Sequence, residues 1–279
     1  MSLTFVTYAQ LADDVTKFVA KLPRNIVGVI GIPRSGMLPA AILAQIYNVP
    51  LSTLDSFVET KQFRPGGRRN MDVPASGNVI VVDDSVYMGQ AMRNAQDLWA
   101  KSGINSFSPI WTAVYGSKPM PRLKCRIFKT IPAPRYFAWN LMQHPDLCQA
   151  MSDIDGVICY DPDVRDDDGP IYSEWLDRAI PFHIPKVPVG ALVSMRLEKW
   201  RKPTEDWMHK YNVKFGNLIL CPSTTAGDRR KMNYGEFKGV KYRDSNYSLF
   251  IESDAKQAVD IARVGNKPVV CITNGVVYQ

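Results

Sequence analysis

Short aliphatic runs alternate along this chain with longer stretches in which apolar residues recur three or four positions apart, the signatures of buried strands and amphipathic helices. "YAQLADDVTKFVAKL" (8–22) has the helical spacing, and "NIVGVIGI" (25–32) reads as a buried strand. "PRSGMLPAAILAQIY" (33–47) passes from a loop into a helix, and "VPLSTLDSF" (49–57) reads as a second strand. A long Gly- and Pro-containing loop, "VETKQFRPGGRRNMDVPASG" (58–77), precedes the strand "NVIVVDD" (78–84), the helix "QAMRNAQDLWAKSG" (90–103) and the strand "SFSPIWTAVY" (106–115). This alternation predicts a parallel sheet covered by helices.

"RLKCRIFKTIPAPRYFAWNLMQHPDLCQA" (122–150) reads as the end of one domain and a connection to the next. Beyond it, the strands "GALVSMRL", "GNLILC", "YSLFI" and "PVVCI" alternate with the helices "PTEDWMHKYN" and "SDAKQAVDIARVG". The expected class is therefore α/β, with two doubly wound, mainly parallel-sheet domains over residues 1–145 and 146–279.

Composition narrows the function. A chain of 279 residues, 46% hydrophobic and 22% charged, is an ordinary globular protein with room for two domains. No apolar run approaches the roughly 18 residues of a membrane span. The start, "MSLTFVTYAQLADD", lacks a basic region followed by an apolar core, so no signal peptide is expected and a cytoplasmic location is the default. Cys125, Cys148, Cys159, Cys221 and Cys271 show no CxxC spacing, which argues for reduced thiols over a zinc site or disulfide framework. The net charge of +7 comes without a long Lys/Arg tract, and the short clusters at 64–69 and 228–231 suit small phosphorylated substrates as economically as nucleic acid. His144, His183 and His209 are too scattered for a metal cluster and are expected in surface or capping roles. The acidic run at 161–169 lacks calcium-loop spacing and reads as a solvated flap.

Two places carry candidate chemistry. In "NVIVVDDSVYMGQAM" (78–92) an aliphatic run ends on Asp83 and Asp84 just before a Gly-containing turn. Either Asp84 or Ser85 caps the helix, or the acids face a ligand beyond the carboxyl end of a parallel strand, with backbone N–H groups of the turn offering an anion site. The preceding 20-residue loop, with Lys61, Arg64, Arg68 and Arg69 and the hinge-like Gly66 and Gly67, is either a solvated surface loop or a lid over a polyanion. Further on, "CQAMSDIDGVICYDP" (148–162) ends a strand with Asp153 and Asp155 spaced i and i+2, which in an extended strand puts both carboxylates on one face. A polar strand end with an Asp-Gly turn is the alternative.

These stretches resemble known families. "GVIGIPRSGMLPAAILAQ", the loop and "VIVVDDSVYMGQA" resemble, in order and spacing, the pyrophosphate loop, mobile catalytic loop and 5-phosphoribosyl-1-pyrophosphate (PRPP) motif of type I phosphoribosyltransferases. The resemblance implies that Asp83 and Asp84 hold the ribose hydroxyls directly or through Mg2+, and that Tyr87, Met88, Gly89, Gln90 and Ala91 form the 5-phosphate turn. Arg34, Ser35 and Gly36 would meet the pyrophosphate, with Lys61 or a loop arginine over the leaving group. The family usually has hydroxyl residues where Met88 and Ala91 stand. In the second half, "DIDGVI", "GALVSMRLEKWR", "YGEFKGVKYRDSNYS" and "LFIESDAKQAVDIA" resemble the four motifs of haloacid dehalogenase-like (HAD) phosphohydrolases with at most a minimal cap. There the resemblance implies Asp153 as nucleophile and Asp155 as acid/base. Ser194 and a lysine, Lys238 with Lys231 and Lys241 less well placed, would sit on the phosphoryl oxygens, with Mg2+ held by Asp153, Asp155 and Glu252 or Asp254.

The resulting expectation is a bifunctional nucleotide-metabolism enzyme. It would transfer a phosphoribosyl group from PRPP to a nucleobase-like acceptor, or run the reverse, and remove phosphate from a nucleotide-like product. Its partners are small phosphorylated molecules, with neither membrane nor nucleic acid expected and a homo-oligomer compatible with the sequence. Two alternatives stand beside it: an active phosphatase whose first domain only senses a nucleotide or PRPP, and a regulatory or nucleic-acid-binding module.

Overall fold

The computed structural model describes residues 3–64, 73–117, 123–163 and 168–279. The chain divides into two compact units, one of Val6–Arg135 and one of Tyr136–Gln279 together with the start of the chain through Phe5. Residues 136–145, expected in the first domain, thus go with the second unit. A two-stranded ribbon pairs β1 (Thr4–Val6) with the later Arg135–Phe137.

The first unit runs α1 (Tyr8–Phe18), β2 (Ile26–Gly31), α2 (Met37–Tyr47), β3 (Leu51–Thr53), α3 (Leu54–Thr60), β4 (Gly77–Val86), α4 (Gln90–Ser102), β5 (Phe107–Gly116) and β6 (Arg126–Thr130). Its five-stranded parallel sheet has the order β3-β2-β4-β5-β6. Central β4 buries Val79, Ile80, Val81 and Val82 completely, as a strand between two neighbours and two covered faces requires. Two details depart from the sequence pattern. The run expected as a second strand stops at Thr53, whose hydroxyl accepts from the Ser56 N–H (3.2 Å) and caps α3. Edge strand β6 was expected only as connecting chain; its "RIFKT" has the half-exposed residues of a sheet margin.

After β7 (Arg135–Phe137), the second unit contains β8 (Ala150–Ser152), α5 (Pro170–Arg178), β9 (Val189–Leu197), α6 (Arg201–Lys210), β10 (Phe215–Cys221), α7 (Ala226–Arg230), α8 (Tyr234–Arg243), β11 (Leu249–Glu252), α9 (Ala255–Gly265), β12 (Val269–Cys271) and β13 (Val276–Tyr278). The sheet order is β10-β9-β8-β11-β12-β13, parallel except for β13. Every residue of β9 is buried, and α8 and α9 are each capped by the residue before them, Asn233 and Asp254.

Both units are thus mixed α/β with parallel sheets, and each sheet reverses its order of winding once: between β2 and β4 in the first unit, between β8 and β11 in the second. The carboxyl ends of the strands at such a switch point open a crevice, which is where ligands sit in folds of this class. Among the described residues no helix is long and apolar enough to cross a membrane.

Candidate functional site

The crevice of the first unit brings the two acidic positions and the loop after β2 together. The Ile32 N–H donates to the Val82 carbonyl (2.9 Å), and Gly36 lies so close to β4 that a Cβ there would stand 2.5 Å from the Ile32 carbonyl oxygen and 2.6 Å from that of Val82. Only glycine fits this contact. Arg34 is exposed and Ser35 half-buried on the same loop. β4 continues through the acids to Val86, yet its neighbour β2 pairs no further than Gly31 with Val82, so Asp83 and Asp84 pass beyond that edge.

Asp83 and Asp84 are both buried. Oδ1 of Asp83 accepts from the Asp84 N–H (2.9 Å), and Oδ1 of Asp84 from the Ser85 N–H (2.8 Å). Burial above all, then repulsion from Asp84, pushes the Asp83 carboxyl up to about 8. Neither Asp84 nor Ser85 caps α4, whose N-cap is Gly89 in a left-handed conformation (φ 78°). Ahead of it Tyr87 and Met88 are 62% and 71% exposed, and Gln90 and Ala91 are exposed as well. The turn therefore offers backbone N–H groups and a helix start, with no hydroxyl side chain at Met88 or Ala91.

Lys61 closes α3, its N–H bonded to the Phe57 carbonyl (2.7 Å). Two residues on, Phe63 is buried against Phe57 and Phe107, so the base of the loop is anchored in the core. Gly66, Gly67, Arg68 and Arg69 lie outside the described residues.

The second crevice is a cavity of about 800 Å3. β8 ends at Ser152, so Asp153 and Asp155 do not share a strand face; a helical turn follows, with the Ile158 N–H on the Ile154 carbonyl (2.8 Å). The turn passes through Gly156 at φ 75°, where a side chain would be both strained and driven into Ser253 Oγ. Both carboxylates still reach the cavity, with different partners. Lys238 Nζ donates to Asp153 Oδ2 (2.7 Å) and Glu252 Oε2 (2.8 Å), and all three side chains are buried. Burial, then Glu252, raises the Asp153 carboxyl well above its usual range against the opposing pull of Lys238. Burial works against the Lys238 charge too, but its two carboxylates outweigh it and hold the ammonium. Lys231 is exposed and pairs with Asp228, and Lys241 lies over the Phe237 ring; of the three lysines considered, Lys238 is the one at the acids.

Asp155 is bound by a residue the motif reading did not include. Arg196 reaches it through Nη2 to Oδ1 (2.6 Å) and Nε to Oδ2 (3.2 Å), while Ser194 Oγ donates to Oδ2 (3.3 Å). Burial would raise this carboxyl, but the Arg196 charge and hydrogen bonds prevail and hold it below its ordinary value. Ser194 and Arg196 stand i and i+2 on one face of β9, so period-2 alternation from Ser194 was the signal that could have found the arginine. His183 is exposed, as expected, and lines the cavity beside Phe182.

The expected magnesium ligands do not form a donor set. Lys238 occupies the position between Asp153 and Glu252, Glu252 Oε1 accepts from the N–H groups of Ser253 and Asp254, Asp254 caps α9, and the Asp155 carbonyl accepts from Ser253 Oγ. No three His, Cys, Asp or Glu side chains among the described residues are placed to hold a metal ion. A divalent cation does not fit this arrangement of side chains.

No family model matches the chain, and no curated protein matches it. Solved structures that resemble it include the Helicobacter pylori xanthine-guanine-hypoxanthine phosphoribosyltransferase, at 11% identity over 50% of this chain and 95% of that one, with a TM-score of 0.39. A purine phosphoribosyltransferase from Pyrococcus horikoshii covers 50% of this chain and 94% of its own at 20% identity and a TM-score of 0.34. An orotate phosphoribosyltransferase from Aeropyrum pernix covers 43% and 68% at 18% identity and a TM-score of 0.31.

Proposed function

We propose that the chain is an enzyme with two phosphate-handling sites, one in each unit. The second unit hydrolyses a phosphate monoester through an aspartyl phosphate on Asp153; the first transfers a phosphoribosyl group from PRPP to a nucleobase-like acceptor or runs that exchange backwards. The observation that carries the reading is Lys238, bonded at 2.7 Å to Asp153 in a cavity at the carboxyl ends of the central strands.

A carboxylate attacking phosphorus splits a slow hydrolysis into two steps: Asp153, once ionised beside Lys238, takes the phosphoryl group while the ester oxygen leaves with its bonding electrons and takes a proton from water, and a second water then cleaves the acyl phosphate. Lys238 offsets charge on the phosphoryl oxygens. Asp155, kept anionic by Arg196, has no proton to give the leaving oxygen, so of the acid/base role that the resemblance implies only the base half is kept here: in the second step it accepts the proton of water. The winding of parallel strands around β8 is in keeping with the HAD-like sheet that the motifs imply.

For the first unit, support comes from the meeting of the Gly36 loop with Asp83 and Asp84 at the switch point, next to the backbone N–H groups that begin α4. One observation favours a second reading in which this unit senses PRPP or a nucleotide without turning it over: the exposed, hydroxyl-free Met88 and Ala91. A mass-spectrometric screen of nucleobases with PRPP, run beside phosphate release from simple monoesters, tests both activities. Nucleotide formation supports transfer; phosphate release without it supports the sensing reading; neither product overturns both.

A further inference from the structure

The second cavity holds more than the chemistry of a phosphate group requires. At about 800 Å3 it falls among pockets that enclose whole organic ligands, roughly 300–1,000 Å3. Two of its lining residues, Tyr160 and Phe182, are large aromatic side chains left 50% and 42% exposed. Their rings stack on one another with centroids 4.5 Å apart and an interplanar angle of 26°, and the His183 ring lies 3.8 Å from that of Phe182. The backbone fixes this group: the Tyr160 N–H bonds the Ile180 carbonyl (3.0 Å) and the Phe182 N–H bonds the Ile158 carbonyl (2.9 Å). Solvent-facing rings held in a fixed stack at a cavity wall leave apolar area uncovered, suited to a flat ring. A polar feature lines the same cavity: Gln257 Oε1 is buried without a hydrogen-bond partner in the protein.

We infer that Tyr160, Phe182 and Gln257 form a leaving-group subsite, and that the monoester hydrolysed here is a nucleoside monophosphate. The ester phosphate sits at Asp153 and Lys238, the planar base packs on the Tyr160–Phe182 stack, and a hydroxyl or amino group of the nucleoside donates to Gln257. This rests on the phosphohydrolase reading for the position of the phosphate. The ring subsite itself is tested by binding, without turnover.

The test measures the affinity of full-length Asp153→Asn for adenosine 5′-monophosphate and for ribose 5-phosphate by calorimetry, with and without Tyr160→Ala and Phe182→Ala added. The expected result is that adenosine monophosphate binds about tenfold or more tightly than ribose 5-phosphate, as base stacking on aromatic rings supplies, and that the added changes remove this advantage while leaving ribose 5-phosphate unaffected. Equal affinities, or an advantage that survives loss of both rings, overturn the subsite. The rings are solvent-facing, and Tyr160→Leu with Phe182→Leu keeps apolar bulk without the flat face, so loss of the advantage there separates stacking from folding. Phosphate release by the wild-type chain from glycerol phosphate, which has no ring, reports on the hydrolysis reading alone. Ring-selective binding without any phosphate release sinks that reading and leaves the subsite standing.

Discussion

Arg196 holds Asp155 in a two-point grip, 2.6 Å from Nη2 to Oδ1 and 3.2 Å from Nε to Oδ2, with the guanidinium fully buried beneath the cavity. The same guanidinium bonds the Thr204 hydroxyl (3.2 Å) and lies over the Trp175 ring, 5.4 Å from its centroid. Removing one partner of such a pair strands a charge. Arg196→Met is expected to cost about 3–5 kcal/mol of stability, read as a lower urea midpoint; an unchanged midpoint at neutral pH refutes the structural weight given to the pair. Asp155 has a depressed folded-state pKa, so its contribution is present above the unfolded value of about 3.9 and is lost as pH falls through the folded value. The difference between wild type and Arg196→Met is therefore expected to shrink in acid.

Asp153→Asn removes the nucleophile and leaves Lys238 its bond to Glu252. Phosphate release is expected to fall below about a thousandth of the wild-type rate, the size of effect expected where covalent catalysis is lost, with the melting temperature little changed. Turnover at the wild-type rate after careful purification removes the aspartyl phosphate from the mechanism.

Asp83 carries a carboxyl pushed up to about 8 by burial and by Asp84. A folded-state value above the unfolded one means stability that is fully present below about pH 4 and is lost as pH rises through the folded value. Asp83→Asn has nothing to ionise there, so its stability relative to wild type is expected to rise between about pH 5 and pH 9. Melting curves that keep a constant separation across that interval contradict the assignment.

Gly36→Ala places a methyl group 2.5 Å from the Ile32 carbonyl oxygen and 2.6 Å from that of Val82, both backbone atoms that cannot swing aside. A loss of about 1–3 kcal/mol in stability is expected, together with weaker PRPP binding as the loop moves off the acid pair. Calorimetric titration with PRPP gives the second quantity, and unchanged affinity separates this loop from the ligand.

Met88 is 71% exposed, so Met88→Thr should leave stability alone. The new hydroxyl adds a bond to a phosphate oxygen, worth about 1.5–3 kcal/mol when made to a charged group, and PRPP affinity is expected to rise about tenfold or more. Weaker binding shows that the turn receives another group.

Periodicity in the chain was enough to determine the layered α/β architecture, because burial of a strand or helix face leaves its mark within a few consecutive residues. The wholly aliphatic Val79–Val82 marks the centre of one sheet, and the buried run of β9 marks a strand beside the centre of the other. The residues that meet in the crevices were legible for a related reason: Asp153 and Glu252 stand just after and at the carboxyl ends of β8 and β11, and Asp83 and Asp84 follow the aliphatic run of β4, although that strand itself continues to Val86. What tertiary structure decided was partnership. Asp153 meets Lys238 85 residues away and Asp155 meets Arg196 41 residues away, and such pairings depend on which strands and helices become neighbours, which no local period records. The same holds for Phe63, a loop residue by its surroundings in sequence, which is buried by Phe107 from β5. It holds again for the Tyr160–Phe182 stack, whose rings come from two segments joined by backbone hydrogen bonds that form only when the chain folds back on the turn after β8.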